Sequence, residues 1–302
     1  MEKTILVTVA DDRAGRKGGK YLETQKKILS LFKANPWFGI LDFYFWTWED
    51  IAASDFYKEN KKILDQFDPA MNGRCYKPFV ILEGLKSIDE GDFLIYNDSS
   101  PEWWEDVNSI EIGRHDLTII KDLCVKNGGI LTSDVTWYCN NEMGDHTHEN
   151  FTTERCMEKM GMLKFKHCLQ HASGMIVLRK SERSVQFVSE WLKWNVDPEC
   201  ASLGDVNTDP VFPDKCICEY WHDEVAKYGK IGHRHDQSIS GLLINKMGNR
   251  LVKNTGDYNF LSFCIRGRDY QFIDSLRSPS KWVFRTEFID GSWVYVKRER
   301  KK

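Results

Sequence analysis

Residues 5–12 read Ile-Leu-Val-Thr-Val-Ala-Asp-Asp, a short β-branched run that ends in two acids. β-Branched residues suit the pleated surface of a sheet, so the run from Ile5 to Val9 predicts a buried strand. A polar loop follows, and from Tyr21 to Phe32 apolar residues recur at helical spacing. A strand followed by a helix is the first unit of an α/β sheet, so this stretch sets the expected fold class.

The alternation of strand and helix continues through the first hundred residues. Residues 40–46 and 92–96 predict strands, whereas residues 49–67 and a segment that starts at Pro78 predict helices. Pro78 suits the first turn of a helix, where a missing N–H costs nothing. Helices between strands favour parallel pairing. We therefore expect a central mixed, mostly parallel sheet flanked by helices.

The second half of the chain has a less regular pattern. Helices are predicted near residues 115–126, 181–195 and 236–246, and strands at 129–131 and 174–178. Near the end, two apolar runs flank Asp290-Gly291, a dipeptide typical of a β-hairpin turn. We expect one compact domain over residues 1–268 and a C-terminal extension with a β-hairpin over residues 269–302.

The composition is that of an ordinary globular chain. The 302 residues carry 42 Lys and Arg against 45 Asp and Glu, a net charge of −3, so we expect no nucleic-acid partner. No apolar stretch approaches the roughly 18 residues that predict a membrane span. The nine cysteines are an odd number without regular spacing, which favours reduced thiols over a disulfide framework. The sequence thus predicts a cytoplasmic protein without a membrane span.

Charged residues stand at the ends of predicted strands. In α/β sheets ligands bind beyond the carboxyl ends of the strands, which places Asp11 to Arg13 and Asp98 along one crevice. Asp98 is the type of residue that holds Mg²⁺ or Mn²⁺ against a diphosphate, although Ser100 stands where a second acid would strengthen the motif. A turn residue that bonds the local backbone is the alternative for Asp98.

Two further segments carry candidate residues. Residues 233–238 read His-Arg-His-Asp-Gln-Ser at the start of a predicted helix, where a phosphate would be favoured. Asp236 there is a candidate general base for a hydroxyl, with a helix cap as the alternative. Lys77 is a candidate phosphate ligand, with a solvated surface lysine as the alternative.

The remaining His and Cys clusters do not have the spacing of a zinc site. One is Asp145 to Glu149, which includes His148, and the other is Cys216-Ile217-Cys218 with His222. Both are expected in surface loops.

Five segments in order resemble a family of polysaccharide-type glycosyltransferases of the GT-A fold, found in bacteria and large DNA viruses. Two cover predicted strands and their ends, residues 7–12 (Val-Thr-Val-Ala-Asp-Asp) and 91–98 (Gly-Asp-Phe-Leu-Ile-Tyr-Asn-Asp), and a third opens a predicted helix, residues 77–82 (Lys-Pro-Phe-Val-Ile-Leu). The others are residues 48–60, which begin Trp-Glu-Asp-Ile, and 233–243 (His-Arg-His-Asp-Gln-Ser-Ile-Ser-Gly-Leu-Leu). The resemblance is collinear and spans about residues 4–268.

The resemblance implies a GT-A-like (Rossmann-like) sheet and the transfer of a sugar from a nucleotide-diphosphate sugar, UDP-linked by preference, to a hydroxyl of a glycan or polysaccharide acceptor. Mn²⁺ or Mg²⁺ would assist departure of the diphosphate, with Asp98 and His235 as metal ligands. Asp236 is then the first choice of catalytic base and Asp134 the reserve. The implied donor-binding residues are Val9, Ala10, Asp11, Asp12, Arg13, Lys77, Asn97, Asp98, His235 and Arg266.

The 11 Trp residues are open to two explanations. Aromatic residues most often fill cores, but Trp103, Trp104 and Trp137 follow strand ends, where an acceptor sugar would stack. A non-catalytic carbohydrate-binding protein on the same core is therefore the alternative function, and a metal-dependent hydrolase that uses the His148 region is a third. The whole 233–238 segment together with Asp98 favours a transferase.

Overall fold

The computed structural model describes residues 2–13, 20–36, 39–66, 75–99, 117–134, 147–201, 235–252, 272–274, 282–289 and 292–299. The boundary predicted after residue 268 lies outside these ranges. So do several residues singled out in the sequence, namely Trp103, Trp104, Trp137, Cys216, Cys218, His222 and Arg266.

A five-stranded mixed sheet forms the centre of the described fold. Its strands are β1 (Thr4–Ala10), β2 (Asp42–Thr47), β3 (Phe93–Asn97), β4 (Ile130–Leu131) and β5 (Met175–Arg179), in the order β2-β1-β3-β5-β4. β1 pairs in parallel with β2 and β3, whereas β5 pairs antiparallel with β3 and β4. β1 to β4 therefore run in one direction and β5 in the other.

The described helices are α1 (Tyr21–Ala34), α2 (Trp48–Ala53), α3 (Asp55–Gln66), α4 (Lys77–Lys86), α5 (Thr118–Lys126), α6 (His148–Phe151), α7 (Glu154–Lys159), α8 (Glu182–Asn195), α9 (Pro198–Ala201) and α10 (His235–Met247). A 3-10 turn covers Leu163–Phe165.

Side chains that alternate along the strands divide the core into two layers. Ile5 and Val7 of β1 pack in the layer that includes residues of α4, α8 and α10. Leu6 of β1 packs in the opposite layer, with Ile28 of α1 and Ile120 of α5. The α/β class and the mixed sheet with helices on both faces are thus confirmed, and the architecture is compatible with a Rossmann-like fold.

The single helix predicted over residues 49–67 is two helices in the structure. Thr47 and Asp50 form a capping box at the start of α2. Ser54 then adopts an extended conformation, and its hydroxyl accepts a hydrogen bond from the Tyr57 amide at 3.2 Å. Ser54 therefore ends α2 and helps to begin α3, which matches the preference of serine for helix caps.

Four further strands pair outside the central sheet. β6 (Arg250–Val252) pairs antiparallel with β7 (Phe272–Asp274), and β8 (Trp282–Ile289) with β9 (Ser292–Glu299). Residues 290 and 291, where the hairpin turn was predicted, lie outside the described residues. Across the ranges that the structure describes, no helix has both the length and the apolar character to cross a membrane.

Gly84 allows α4 to pack closely on the sheet. A Cβ atom at this position would lie 2.7 Å from Leu94 Cδ1 and 2.8 Å from Val7 Cγ2, both in the core. We expect Gly84→Ala to lower the free energy of unfolding by about 1–2 kcal/mol, because overpacking outweighs the gain in helix propensity. Urea unfolding measures the change. Glu83→Ala is the matched control, since it removes only a surface ion pair with Lys86, and an equal loss in both variants would contradict the packing argument.

Candidate active site

One edge of the sheet collects the predicted site residues. β1, β3 and β4 run in the same direction, so their carboxyl ends meet at this edge. Asp11 follows β1, Asp98 follows β3 and Asp134 lies beyond β4. β5 runs the opposite way, so Ser173, just before it, reaches the same edge.

Three charged side chains meet here in the protein interior. Lys77 Nζ lies 2.7 Å from Asp236 Oδ2 and 3.2 Å from Asp98 Oδ1. The side chain of Lys77 is 0% exposed, and those of Asp98 and Asp236 are 7% and 8% exposed. Lys77 comes from the first turn of α4, Asp98 from the end of β3 and Asp236 from the first turn of α10. We refer to Lys77, Asp98 and Asp236 as the buried triad.

Neutral groups complete the hydrogen bonding of the buried triad. The Tyr96 hydroxyl donates to Asp98 Oδ1 at 2.7 Å, and the Ser173 hydroxyl donates to Asp236 Oδ2 at 2.8 Å. The Lys77 ammonium also donates to the Ser173 carbonyl oxygen at 3.2 Å. Its three N–H groups therefore have acceptors on three different residues. Charges buried in this way are tolerated only when they are paired and hydrogen-bonded.

The position of Lys77 corrects the expectation of a solvated surface lysine. Because its side chain is completely buried, its charge acts on Asp98 and Asp236 first. We therefore treat Lys77 as a positioning residue for the two carboxylates rather than as a direct phosphate ligand.

The contacts of Asp236 differ from those of a helix cap. Its Oδ2 atom binds the side chains of Lys77 and Ser173, which belong to other segments of the chain. The Asp98 carboxylate likewise binds Lys77 and Tyr96 through Oδ1. Lys77 is therefore a partner of both carboxylates, together with Tyr96 for Asp98 and Ser173 for Asp236.

The residues after β1 have mixed roles. The Asp12 carboxylate accepts hydrogen bonds from the amides of Tyr21 at 2.9 Å and Leu22 at 3.2 Å, so it caps the first turn of α1. Asp11 instead forms a two-point ion pair with Arg13, at 2.8 and 2.7 Å. The Arg13 guanidinium also lies over the Trp48 ring. Val9 and Ala10 are buried in β1.

Asn97, His235 and Asp134, which were also predicted as site residues, each have a defined backbone contact. The Asn97 side-chain amide donates to the Asp98 carbonyl oxygen at 2.8 Å. His235 has a φ of 44° and its Nδ1 lies 2.9 Å from the Ala201 carbonyl oxygen, so Nδ1 must carry the proton. Asp134 is 1% exposed, and its backbone N–H donates to the Val252 carbonyl oxygen at 3.0 Å.

A network of buried histidines, which sequence reasoning missed, packs against α10. His171 Nδ1 lies 2.9 Å from Thr132 Oγ1, and its Nε2 lies 2.6 Å from Ser240 Oγ. His148 is also 0% exposed, so its predicted placement in a surface loop is wrong. The reason is Gly241, where a Cβ atom would lie 2.8 Å from His148 Cε1. In the sequence, the pair Ser240-Gly241 within a predicted helix could have indicated that another segment approaches the helix closely there.

Burial gives the two histidines a pH-dependent effect on stability. Desolvation lowers the pKa of His148 and of His171 to about 3, from an ordinary value of 6.5. The unfolded chain therefore binds protons first, and the stability present above pH 6.5 is lost as the pH falls toward 3. We expect each histidine to contribute a loss of about 2 kcal/mol in the free energy of unfolding between pH 7 and pH 5.

Urea unfolding at pH 7, 6 and 5 tests this expectation. His148→Gln should reduce the loss of stability between pH 7 and pH 5 by about the 2 kcal/mol expected of one buried histidine. An identical pH dependence in native protein and His148→Gln would show that the buried imidazole does not titrate as stated.

The predicted Mn²⁺ or Mg²⁺ site is not matched by the described residues. Among them, no group of three or more His, Cys, Asp or Glu side chains is placed to hold a metal ion. The acidic pair Asp98 and Asp236 is bridged by the Lys77 ammonium group. The two carboxylate oxygens that face this ammonium do not fit a divalent cation between Asp98 and Asp236, and we route no catalytic step through one.

Comparison with known proteins supplies no family assignment. No protein-family model, curated protein or solved structure matches this chain. The functional argument therefore depends on the sheet edge and the buried triad themselves.

Proposed function

We propose that the chain is a glycosyltransferase of the GT-A type, which moves a sugar from a nucleotide-diphosphate sugar, UDP-linked by preference, to a hydroxyl of a glycan or polysaccharide acceptor. The observation that supports this proposal is the buried triad. Lys77, Asp98 and Asp236 come one each from three of the segments that resemble the transferase family. They meet at the carboxyl edge of an α/β sheet, where such folds bind their ligands.

Asp236 is the proposed catalytic base. Transfer of a sugar requires that the acceptor hydroxyl lose a proton, and a positioned carboxylate removes it. Lys77 and Ser173 both bind Oδ2, at 2.7 and 2.8 Å, so this oxygen is held by two partners. Oδ1 is then the oxygen presented to the acceptor. Asp134, on the same edge of the sheet, is the reserve candidate.

Asp98 has a positioning role in this proposal. Its Oδ1 atom lies 3.2 Å from the Lys77 ammonium, and the Tyr96 hydroxyl donates to the same Oδ1 at 2.7 Å. A buried lysine with one carboxylate partner would be freer to rotate than one with two. Asp98 thereby keeps Lys77 in contact with the base.

The nucleoside of the donor is proposed to lie beside Asp11 and Arg13. Arg13 is held in one plane by Asp11 and by the Trp48 ring, and its side chain is 23% exposed. A planar guanidinium stacks on aromatic rings, so an ordered Arg13 offers a face for a nucleobase. Asp12 is not part of this subsite, because its carboxylate caps α1.

Nucleotide release from a panel of UDP- and GDP-linked sugars tests the proposed function. Each donor is incubated with the protein and a mixture of glycan acceptors, and free nucleotide is measured. We expect at least one donor to release nucleotide in an acceptor-dependent way. The amount released should be equal in native protein and in Asp89→Asn, a surface variant at the other end of β3. Silence across the panel, with glycan binding retained by a folded protein, would support the non-catalytic carbohydrate-binding alternative.

A further inference from the structure

Two carboxylate oxygens of the buried triad, Asp98 Oδ1 and Asp236 Oδ2, lie on either side of the contact with Lys77 and are already used. Asp98 Oδ1 accepts from the Tyr96 hydroxyl and from Lys77, and Asp236 Oδ2 accepts from the Ser173 hydroxyl and from Lys77. A carboxylate oxygen has two lone pairs, so each of these atoms has its full number of partners. A cation between the two carboxylates would have to displace the ammonium.

Displacement of the Lys77 ammonium is unfavourable in this structure. Its side chain is completely buried, and Ser173 holds it through both the carbonyl oxygen and the hydroxyl, at 3.2 and 3.3 Å. An ammonium and a divalent cation side by side would also repel each other in an interior of low dielectric constant. Mg²⁺ further requires near-octahedral oxygen ligands, which a site that already holds a lysine does not offer.

We infer that Lys77 takes the place of a divalent cation between Asp98 and Asp236, and that sugar transfer by this protein is independent of Mn²⁺ and Mg²⁺. The catalytic half of this inference rests on the proposed function, whereas the metal-binding half does not. Charge on the departing diphosphate is then met by protein cations. Arg266 and Arg268, which lie outside the described residues, are the two such candidates from the sequence.

Titration with Mn²⁺ tests the metal-binding half. Unbound Mn²⁺ is followed by electron paramagnetic resonance in native protein and in the Asp98→Asn/Asp236→Asn double variant. The titration is repeated with UDP present, because a diphosphate supplies oxygen ligands of its own. We expect the two proteins to give superimposable curves in both series. A saturable site in native protein that the double variant lacks would overturn the inference.

Removal of the ammonium provides a second measurement. Lys77→Met leaves two carboxylates without their cation, so we expect this variant to gain a Mn²⁺ site at least tenfold tighter than any in native protein. The added Asp98→Asn and Asp236→Asn substitutions should abolish the gain. A folded Lys77→Met protein without a new site would contradict the idea that the ammonium replaces a metal. If this variant does not fold, native protein and the single variant Asp98→Asn, which keeps the Lys77–Asp236 pair, still decide: a saturable Mn²⁺ site in native protein that Asp98→Asn lacks would overturn the inference.

Activity with and without chelator tests the catalytic half. With a donor found by nucleotide release, we expect turnover in EDTA to lie within twofold of turnover in Mn²⁺. A tenfold or larger loss in EDTA that Mn²⁺ restores would overturn metal independence. If no donor is turned over in either condition, the proposed function fails, and the Mn²⁺ titration still decides whether Lys77 occupies the place of a cation.

Discussion

Lys77→Met is expected to lower the free energy of unfolding by about 3–5 kcal/mol, because it removes the buried ammonium that is paired with both the Asp98 and the Asp236 carboxylates. Methionine has a similar length and fills much of the same volume, so loss of packing is a small part of the effect. The Tyr96 and Ser173 hydroxyls would remain as donors but carry no charge. Urea unfolding followed by circular dichroism at pH 7 measures the loss.

Lys86→Met is the matched control, since it makes the same substitution in the same helix. The Lys86 side chain is 63% exposed and pairs with Glu83 on the surface, so we expect a change of no more than about 1 kcal/mol. Addition of Asp98→Asn to Lys77→Met should recover part of the stability, because one buried charge then disappears. A loss below about 1 kcal/mol for Lys77→Met, or no recovery in the double variant, would contradict the stated electrostatic origin.

The framework of the site follows from local sequence patterns. The apolar runs that end near Asp11 and Asp98 predict strands, and the helices that alternate with strands between them favour parallel pairing of those strands. Parallel strands bring their carboxyl ends to one edge, so the neighbourhood of Asp11 and Asp98 could be anticipated from residues close in sequence. The start of α10 at the 233–238 segment could be anticipated in the same way.

The burial of Lys77 could not be predicted in this way. A lysine in the first turn of a helix is ordinarily exposed, and lysine is among the residues least often buried. Its environment is decided by Ser173 and Asp236, which are distant in sequence and reach it only through β5 and α10. The same holds for His148, whose burial depends on Gly241, in a helix that lies almost a hundred residues further along the sequence. Tertiary contacts of this kind leave no local pattern.

Asp236→Asn is expected to reduce turnover of the best donor by about 10²–10⁴-fold, the usual contribution of a general base. Asparagine keeps the shape of aspartate, and its amide oxygen still accepts hydrogen bonds from Lys77 and Ser173. Asp98 also remains as a charged partner for Lys77, so the variant should fold. The donor KM should change by less than about threefold, since Asp236 acts on the acceptor hydroxyl. Initial rates over a range of donor and acceptor concentrations separate these quantities.

Asp98→Asn is the variant that distinguishes a base from a structural acid. It removes the other carboxylate partner of the same ammonium, so its electrostatic effect on the buried triad resembles that of Asp236→Asn. A positioning role for Asp98 predicts a loss of turnover of about tenfold, well below the loss of about 10²–10⁴-fold expected for Asp236→Asn. Equal losses of turnover in the two variants, in proportion to equal losses in the free energy of unfolding, would show that Asp236 only supports the fold, and Asp134 would then be the next base to test.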